Sequence, residues 1–213
     1  MTRIAVLLMG ALATVSFALI VLVVLPSSLL YRSQAGAPKE LKPYTVSELR
    51  GRQVYIQNGC VYCHTQQVRD PVITTDIAKG LGNRPSYPAD YFYDKPHLLG
   101  TMRTGPDLFN VGSRLPDRDW HLLHLYQPRA LVPWSIMPAF PFLFEVKEEA
   151  GPDDHALKVP AEFAPKKGVV VATKDAQALV DYLLALKHAY PAPLNEPSEE
   201  IDAKLPQEER LKR

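Results

Sequence analysis

Two cysteines occur among the 213 residues of this chain, and they stand together as Cys60-Val61-Tyr62-Cys63-His64. A separation of three with histidine directly after it arises by chance with a probability of order 0.03%, so the grouping asks for a chemical reason. Two thiols about one helical turn apart can bond the two vinyl groups on one edge of a porphyrin, and the next residue can turn its imidazole to the iron. The pattern therefore reads as the attachment site of one covalently bound haem c. A disulfide across two residues leaves His64 without a role, and a thioredoxin-like pair wants a βαβ context that the flanking sequence lacks. A zinc site needs more ligands, and His121-Leu122-Leu123-His124 has the wrong spacing to supply them.

Iron held by one histidine needs a sixth ligand or an open face. A thioether closes the site for electron transfer, whereas an open position suits ligand binding or peroxidase work. Met1 and Met9 lie in or before an apolar N-terminal segment, leaving Met102 and Met137. Met137 is expected to be the second iron ligand, because Pro138 removes an amide and holds the methionine in an extended loop. The alternative is a core methionine that fills a gap. Met102 is expected to pack beside the haem. His97, His121, His124, His155 and His188 are expected at the surface or satisfied by local partners.

Arg103-Thr104-Gly105-Pro106-Asp107-Leu108 offers a cation for a haem propionate at Arg103. At Pro106 it offers a carbonyl that can accept from the other ring nitrogen of His64 and orient the ring. By itself the stretch is equally a turn before a helix. Trp120, Leu123, Leu125 and Tyr126, on a short helix opened by Asp117 or Asp119, either wall the pocket or belong to the core.

Positioning these groups falls to a few elements. Ile4–Leu25 holds no ionisable side chain and ends at Pro26; at 1.5 Å per residue it is long enough to cross a bilayer. Residues 1–26 are expected to be a retained membrane anchor, with cleavage near Ala35-Gly36-Ala37 as the alternative. Residues 27–42 read as a polar tether, 43–190 as the haem domain and 191–213 as a polar tail. Thr45-Val46-Ser47-Glu48 fits a capping box for a helix that stops at Asn58-Gly59 and delivers the chain to Cys60. Thr173 caps a second helix, from about Lys174 to His188, whose apolar face should pack on the first helix or on the haem edge. Glu145 to Lys167 is a charged, proline-bearing excursion too polar for core.

Composition narrows the classes. Twenty prolines against eleven glycines favour loops and short helices over a large sheet. A net charge of +1, from 24 basic and 23 acidic residues, provides no bulk field for a polyanion, so nucleic acid is not an expected partner. Basic residues after the anchor favour a cytoplasmic C-terminal part, but covalent haem attachment takes place outside the cytoplasm. The haem domain is therefore expected on the periplasmic side.

The ordered set of Lys42-Pro43-Tyr44-Thr45, Gly59-Cys60, Cys63-His64, Tyr93-Asp94-Lys95-Pro96, Arg103-Thr104-Gly105-Pro106-Asp107-Leu108, Asp119-Trp120-His121 and Met137-Pro138-Ala139 resembles one family. That family is the membrane-anchored monohaem cytochrome c subunit of cbb3-type oxidases, FixO or CcoO. The resemblance implies a mainly α fold, with a single N-terminal transmembrane helix and a class I-like cytochrome c domain with long loops. It implies that Cys60 and Cys63 hold the haem, that His64 and Met137 ligate iron, and that Arg103 and Pro106 flank them. The implied role is relaying electrons from a donor cytochrome toward a haem–copper subunit, with no bond-making chemistry on this chain. The implied setting is the bacterial inner membrane, alongside that catalytic subunit, other cytochrome c subunits of the same oxidase and the lipid bilayer. Residues 70–90, Trp134 and residues 145–167 depart from the family pattern. The cytochrome c subunit of a nitric oxide reductase, a free-standing anchored carrier and a haem enzyme with open iron are the competing readings.

Overall fold

A computed structural model describes residues 2–33 and 37–191. The expected tail, 191–213, lies outside the described residues except for Pro191. The chain divides into two compact units, one built on residues 1–39 and the other on residues 40–86 and 93–192.

The first unit is built on a long apolar helix. Helix α1 (Arg3–Leu19) passes through one wide π turn (Ile20–Val24) into α2 (Leu25–Ser33). Arg3–Leu29 is long and apolar enough to cross a membrane. Two of its hydroxyls turn back onto the backbone: Thr14 Oγ1 donates to the Gly10 carbonyl and Ser28 Oγ to the Leu25 carbonyl, each at 2.9 Å, a pairing that suits a helix in apolar surroundings. The helix does not stop at Pro26, where the anchor was expected to end. The π turn directly before the proline widens the backbone where the ring would otherwise meet a carbonyl one turn back, so the helix continues.

In the second unit, α3 (Val46–Gln57) opens with a capping box. The Glu48 amide donates to Thr45 Oγ1 at 3.3 Å and the Thr45 amide to Glu48 Oε2 at 2.6 Å. Two short helices follow the haem motif: α4 (Val111–Arg114) and α5 (Arg118–Tyr126), the latter capped by Asp117. Helix α6 (Lys174–Ala185) is capped by Thr173, whose Oγ1 accepts from the Ala176 amide at 3.3 Å.

Helix α6 is the spine of this unit. Gly51 of α3 lies against the Ala178 backbone and Gly112 of α4 against Leu184, so closely that a Cβ at either glycine would overlap backbone atoms. The crossings bury Val54, Tyr55, Leu179, Val180, Tyr182 and Leu186 in one core with Leu122 of α5, and that burial is the main stabilising term. Helix α6 ends at Ala185, short of the expected His188. The Gly112 amide claims the Leu186 carbonyl at 3.1 Å, and the His188 amide donates to Asn110 Oδ1 at 2.9 Å. These tertiary bonds replace the last helical turn.

The mainly α expectation needs one correction. Strands β1 (Phe144–Lys147), β2 (His155–Ala156) and β3 (Val169–Ala172) form an antiparallel sheet of order β1-β3-β2. Phe144 pairs with Ala172 and Lys147 with Val169 on one side of β3; His155 pairs with Ala172 on the other. The central strand is the apolar run Val169-Val170-Val171-Ala172, which suits a buried pleated position. Polar residues of the excursion serve as its edges, and Glu145 is exposed on β1.

Candidate functional site

The site begins where α3 ends. Gly59 takes a left-handed conformation (φ 67°) that a side chain would resist, and turns the chain into a 3-10 turn over Cys60–Tyr62. The Cys63 and His64 amides donate to the Cys60 carbonyl at 3.2 and 3.0 Å. Neither cysteine is in a disulfide; Cys60 is partly buried and Cys63 exposed. Burial pushes the Cys60 thiol up to about 11, so it is protonated at neutral pH.

The next residue is held on two sides. His64 Nδ1 lies 2.7 Å from the Pro106 carbonyl oxygen. Burial lowers the proton affinity of the ring below the usual histidine value. A neutral imidazole beside a carbonyl, which can only accept, must carry its proton on Nδ1, leaving the Nε2 lone pair free to bind a metal. Gly105 packs on the same ring, so that a Cβ there would overlap it. The Gly105 amide donates to the Cys63 carbonyl at 2.9 Å and the Leu108 amide to the Thr65 carbonyl at 2.8 Å, which laces the two loops together.

Two adjoining cavities share His64, His124 and Met137 in their walls. Cys60 lines the first with Tyr55, Leu108, Val111, Leu125, Leu179 and Leu183; Cys63 lines the second with Gly105, Pro106 and Trp134. The structure thus brings Cys60, Cys63, His64, Pro106 and Met137 to one place. The Met137 amide donates to Ser135 Oγ at 3.2 Å, and the Phe140 amide returns the loop to the Leu125 carbonyl at 2.9 Å.

Arg103 lines neither cavity. The propionate partner expected there has its guanidinium engaged within the protein: Nη1 and Nη2 fork onto Asp76 at 2.6 and 2.7 Å, Nη2 also donates to the Gln67 carbonyl at 2.8 Å, and Nε to Thr65 Oγ1. Met102 is exposed and also lies outside both cavities.

Sequence reasoning missed part of the wall. His121 and His124 line the first cavity together with Trp120 and Leu125 of α5. His121 Nε2 lies 2.8 Å from the Leu115 carbonyl. His124 stacks on Trp120 with ring centres 4.7 Å apart, and its buried Nδ1 has no partner. Burial, then the neighbouring His121 and His64, press its pKa down to about 4, so it is neutral at pH 7. The available signal was the spacing: 120 and 124, and 121 and 125, fall on one face of a capped helix.

The donor set can be tested against a haem. Among the described residues no group of three or more His, Cys, Asp or Glu side chains could hold a bare metal ion. What converges instead is two free thiols, the His64 imidazole with Nε2 available, one thioether and a wall that is mainly apolar apart from His121 and His124. That set suits an iron whose four equatorial ligands come from a porphyrin.

Compared with known families, residues 1–181 match the model described as cytochrome C oxidase, mono-heme subunit/FixO. The chain belongs to the FixO family. No curated protein matches it. As a FixO chain it is the mono-haem subunit of a cytochrome c oxidase, an electron-transport role with one haem, and its apolar N-terminal helix fits a membrane anchor.

Proposed function

We propose that this chain is the electron-relay subunit of a cbb3-type haem–copper oxidase. In this reading one haem c is bonded to Cys60 and Cys63 and ligated by His64 and Met137 in a class I-like cytochrome c domain. The helix over Arg3–Leu29 anchors it in the bacterial inner membrane, with the haem domain on the periplasmic side, next to the haem–copper subunit and the other cytochrome c subunits. A donor cytochrome supplies the electrons. The observation that carries this reading is that both thiols, His64 and Met137 line two adjoining cavities whose walls are mainly apolar.

A haem held by these residues would supply one-electron chemistry. The protein's part is to keep the surroundings unchanged between the two oxidation states. Pro106 fixes the tautomer and tilt of His64 through Nδ1. Gly105 leaves room for the ring. Leu108, Val111, Leu179 and Leu183 exclude water, which lowers the reorganisation of solvent around a changing charge. The anchor confines the domain to the membrane plane and raises its effective concentration at its acceptor.

Acid–acetone extraction of the purified protein is expected to leave the pigment on the polypeptide, and mild-detergent purification from native membranes is expected to bring haem b and copper with it. Extraction of the pigment would end the covalent reading. Purification without copper would point to a reductase subunit or a lone carrier.

A further inference from the structure

Asp76 lies in the 70–82 stretch, outside the haem motif and outside both cavities, yet it is only 4% exposed. Both its oxygens are occupied. Oδ1 accepts from Arg103 Nη1, and Oδ2 from Arg103 Nη2 and from the Arg69 amide at 2.9 Å. A two-point guanidinium–carboxylate fork of this kind sets direction as well as distance.

The Nη2 that completes this fork also faces a second carboxylate. Asp107 is fully buried, and its Oδ2 stands 3.6 Å from Arg103 Nη2. Its oxygens are already in use: Oδ2 accepts from Thr65 Oγ1 and from the Gln67 amide at 2.8 Å, and Oδ1 from the Phe109 amide at 2.9 Å. Arg103 and Asp107 bracket the Gly105-Pro106 turn that touches the His64 ring. Thr65 and Gln67, which both of them hold, lie one and three residues after His64. The cation therefore sits between two acids, and Asp76 has the better geometry.

We propose that Asp76 is a positioning residue for His64: by taking the two-point fork of Arg103 and leaving Asp107 only the longer contact, it keeps the Gly105-Pro106 turn seated on the imidazole. Among the described residues, loss of Asp76 leaves Asp107 as the carboxylate beside the guanidinium, and its oxygens would then be drawn more closely to Arg103 in competition with the amides that lock residues 65–67 to residues 107–109. The turn loosens, and the Nδ1–H bond to Pro106 opens more often. The inference rests on the reading of His64 as iron ligand, and it gives one residue of the divergent 70–90 stretch a role at the site.

The test uses the full-length, haem-loaded protein in detergent and follows solvent exchange of the His64 Nδ1 proton by NMR. Asp76→Asn keeps the size of the side chain and loses the charged fork. Exchange is expected to quicken roughly tenfold, the factor that follows from losing a hydrogen bond between charged groups. Asp76→Glu is expected to return exchange toward the wild-type rate, and Asp154→Asn, which breaks the pair with Lys147, is expected to leave it unchanged. Should Asp76→Asn not accumulate, Arg103→Lys reads the same exchange with the same expected acceleration. Wild-type exchange in the folded, haem-loaded variant overturns the proposal and leaves the ligand reading standing. A wild-type His64 signal without an iron-induced shift overturns both.

Discussion

Gly105 shows how little space surrounds the reactive ring. Its amide is tied to the Cys63 carbonyl, so the turn cannot retreat, and any Cβ would occupy the volume of His64. Gly105→Ala is expected to displace the imidazole at an overpacking cost of about 1–3 kcal/mol, read as high-spin signals in the oxidised protein. Met137→Ala is expected to remove the far-red absorption of sulfur–iron ligation and to admit carbon monoxide; an unchanged spectrum would remove Met137 from the ligand set. Acid provides a third check. The fork from Arg103 holds Asp76 at about 2, below its ordinary 3.8, so its contribution is complete above about pH 4 and is lost as pH falls through 2. That contribution is on the order of 2 kcal/mol. Urea midpoints measured between pH 5 and about pH 2 are expected to fall for the wild type and to flatten in Asp76→Asn.

Among the elements, the crossing of α3 over α6 decides where Cys60 begins. Gly51 allows the approach, and Ser47 and Arg50 of α3 hold α6 through Asp181 and Asp175. Gly51→Ala places a methyl against backbone that cannot move aside. Thr45→Ala removes only the cap, worth about 1 kcal/mol. The packing variant is therefore expected to lower the thermal midpoint more than the cap variant, and a reversed order would show that the helices separate without strain. The Leu143 carbonyl, next to β1, accepts the Thr173 amide at 3.2 Å and Thr173 Oγ1 at 2.7 Å, which joins the sheet to the start of α6. The sheet thus supports the helix whose Leu179 and Leu183 wall the cavity.

On the scale of the whole molecule, a nearly neutral chain depends on geometry rather than a bulk field to find its partners. In the proposed reading the apolar helix would supply that geometry by restricting the haem domain to a surface. The full chain is expected to stay with membranes through an alkaline wash. Replacing Val15 and Leu22 together by lysine, at about 2.5–3.5 kcal/mol each, is expected to move it to the soluble fraction.

Much of this protein is written in local spacing. Cys60, Cys63 and His64 are three positions within one turn, the Thr45–Glu48 cap is two residues in reach of each other, and the anchor is a run of apolar side chains; each needs only neighbouring residues to be recognised. Other features exist only after distant segments meet. Within its own hexapeptide the Arg103 cation has Asp107 as its acidic neighbour, and it is the fold that brings the closer partner Asp76 to it from 27 residues away. The edges of the sheet are short segments, Phe144–Lys147 and His155–Ala156, that pair with the backbone of Val169–Ala172. The crowding of His64 by Gly105 likewise depends on a loop forty residues downstream. Chemistry carried by neighbours in sequence was legible from the chain, whereas the partners of a charge, and the room left around a ring, were set by tertiary contacts.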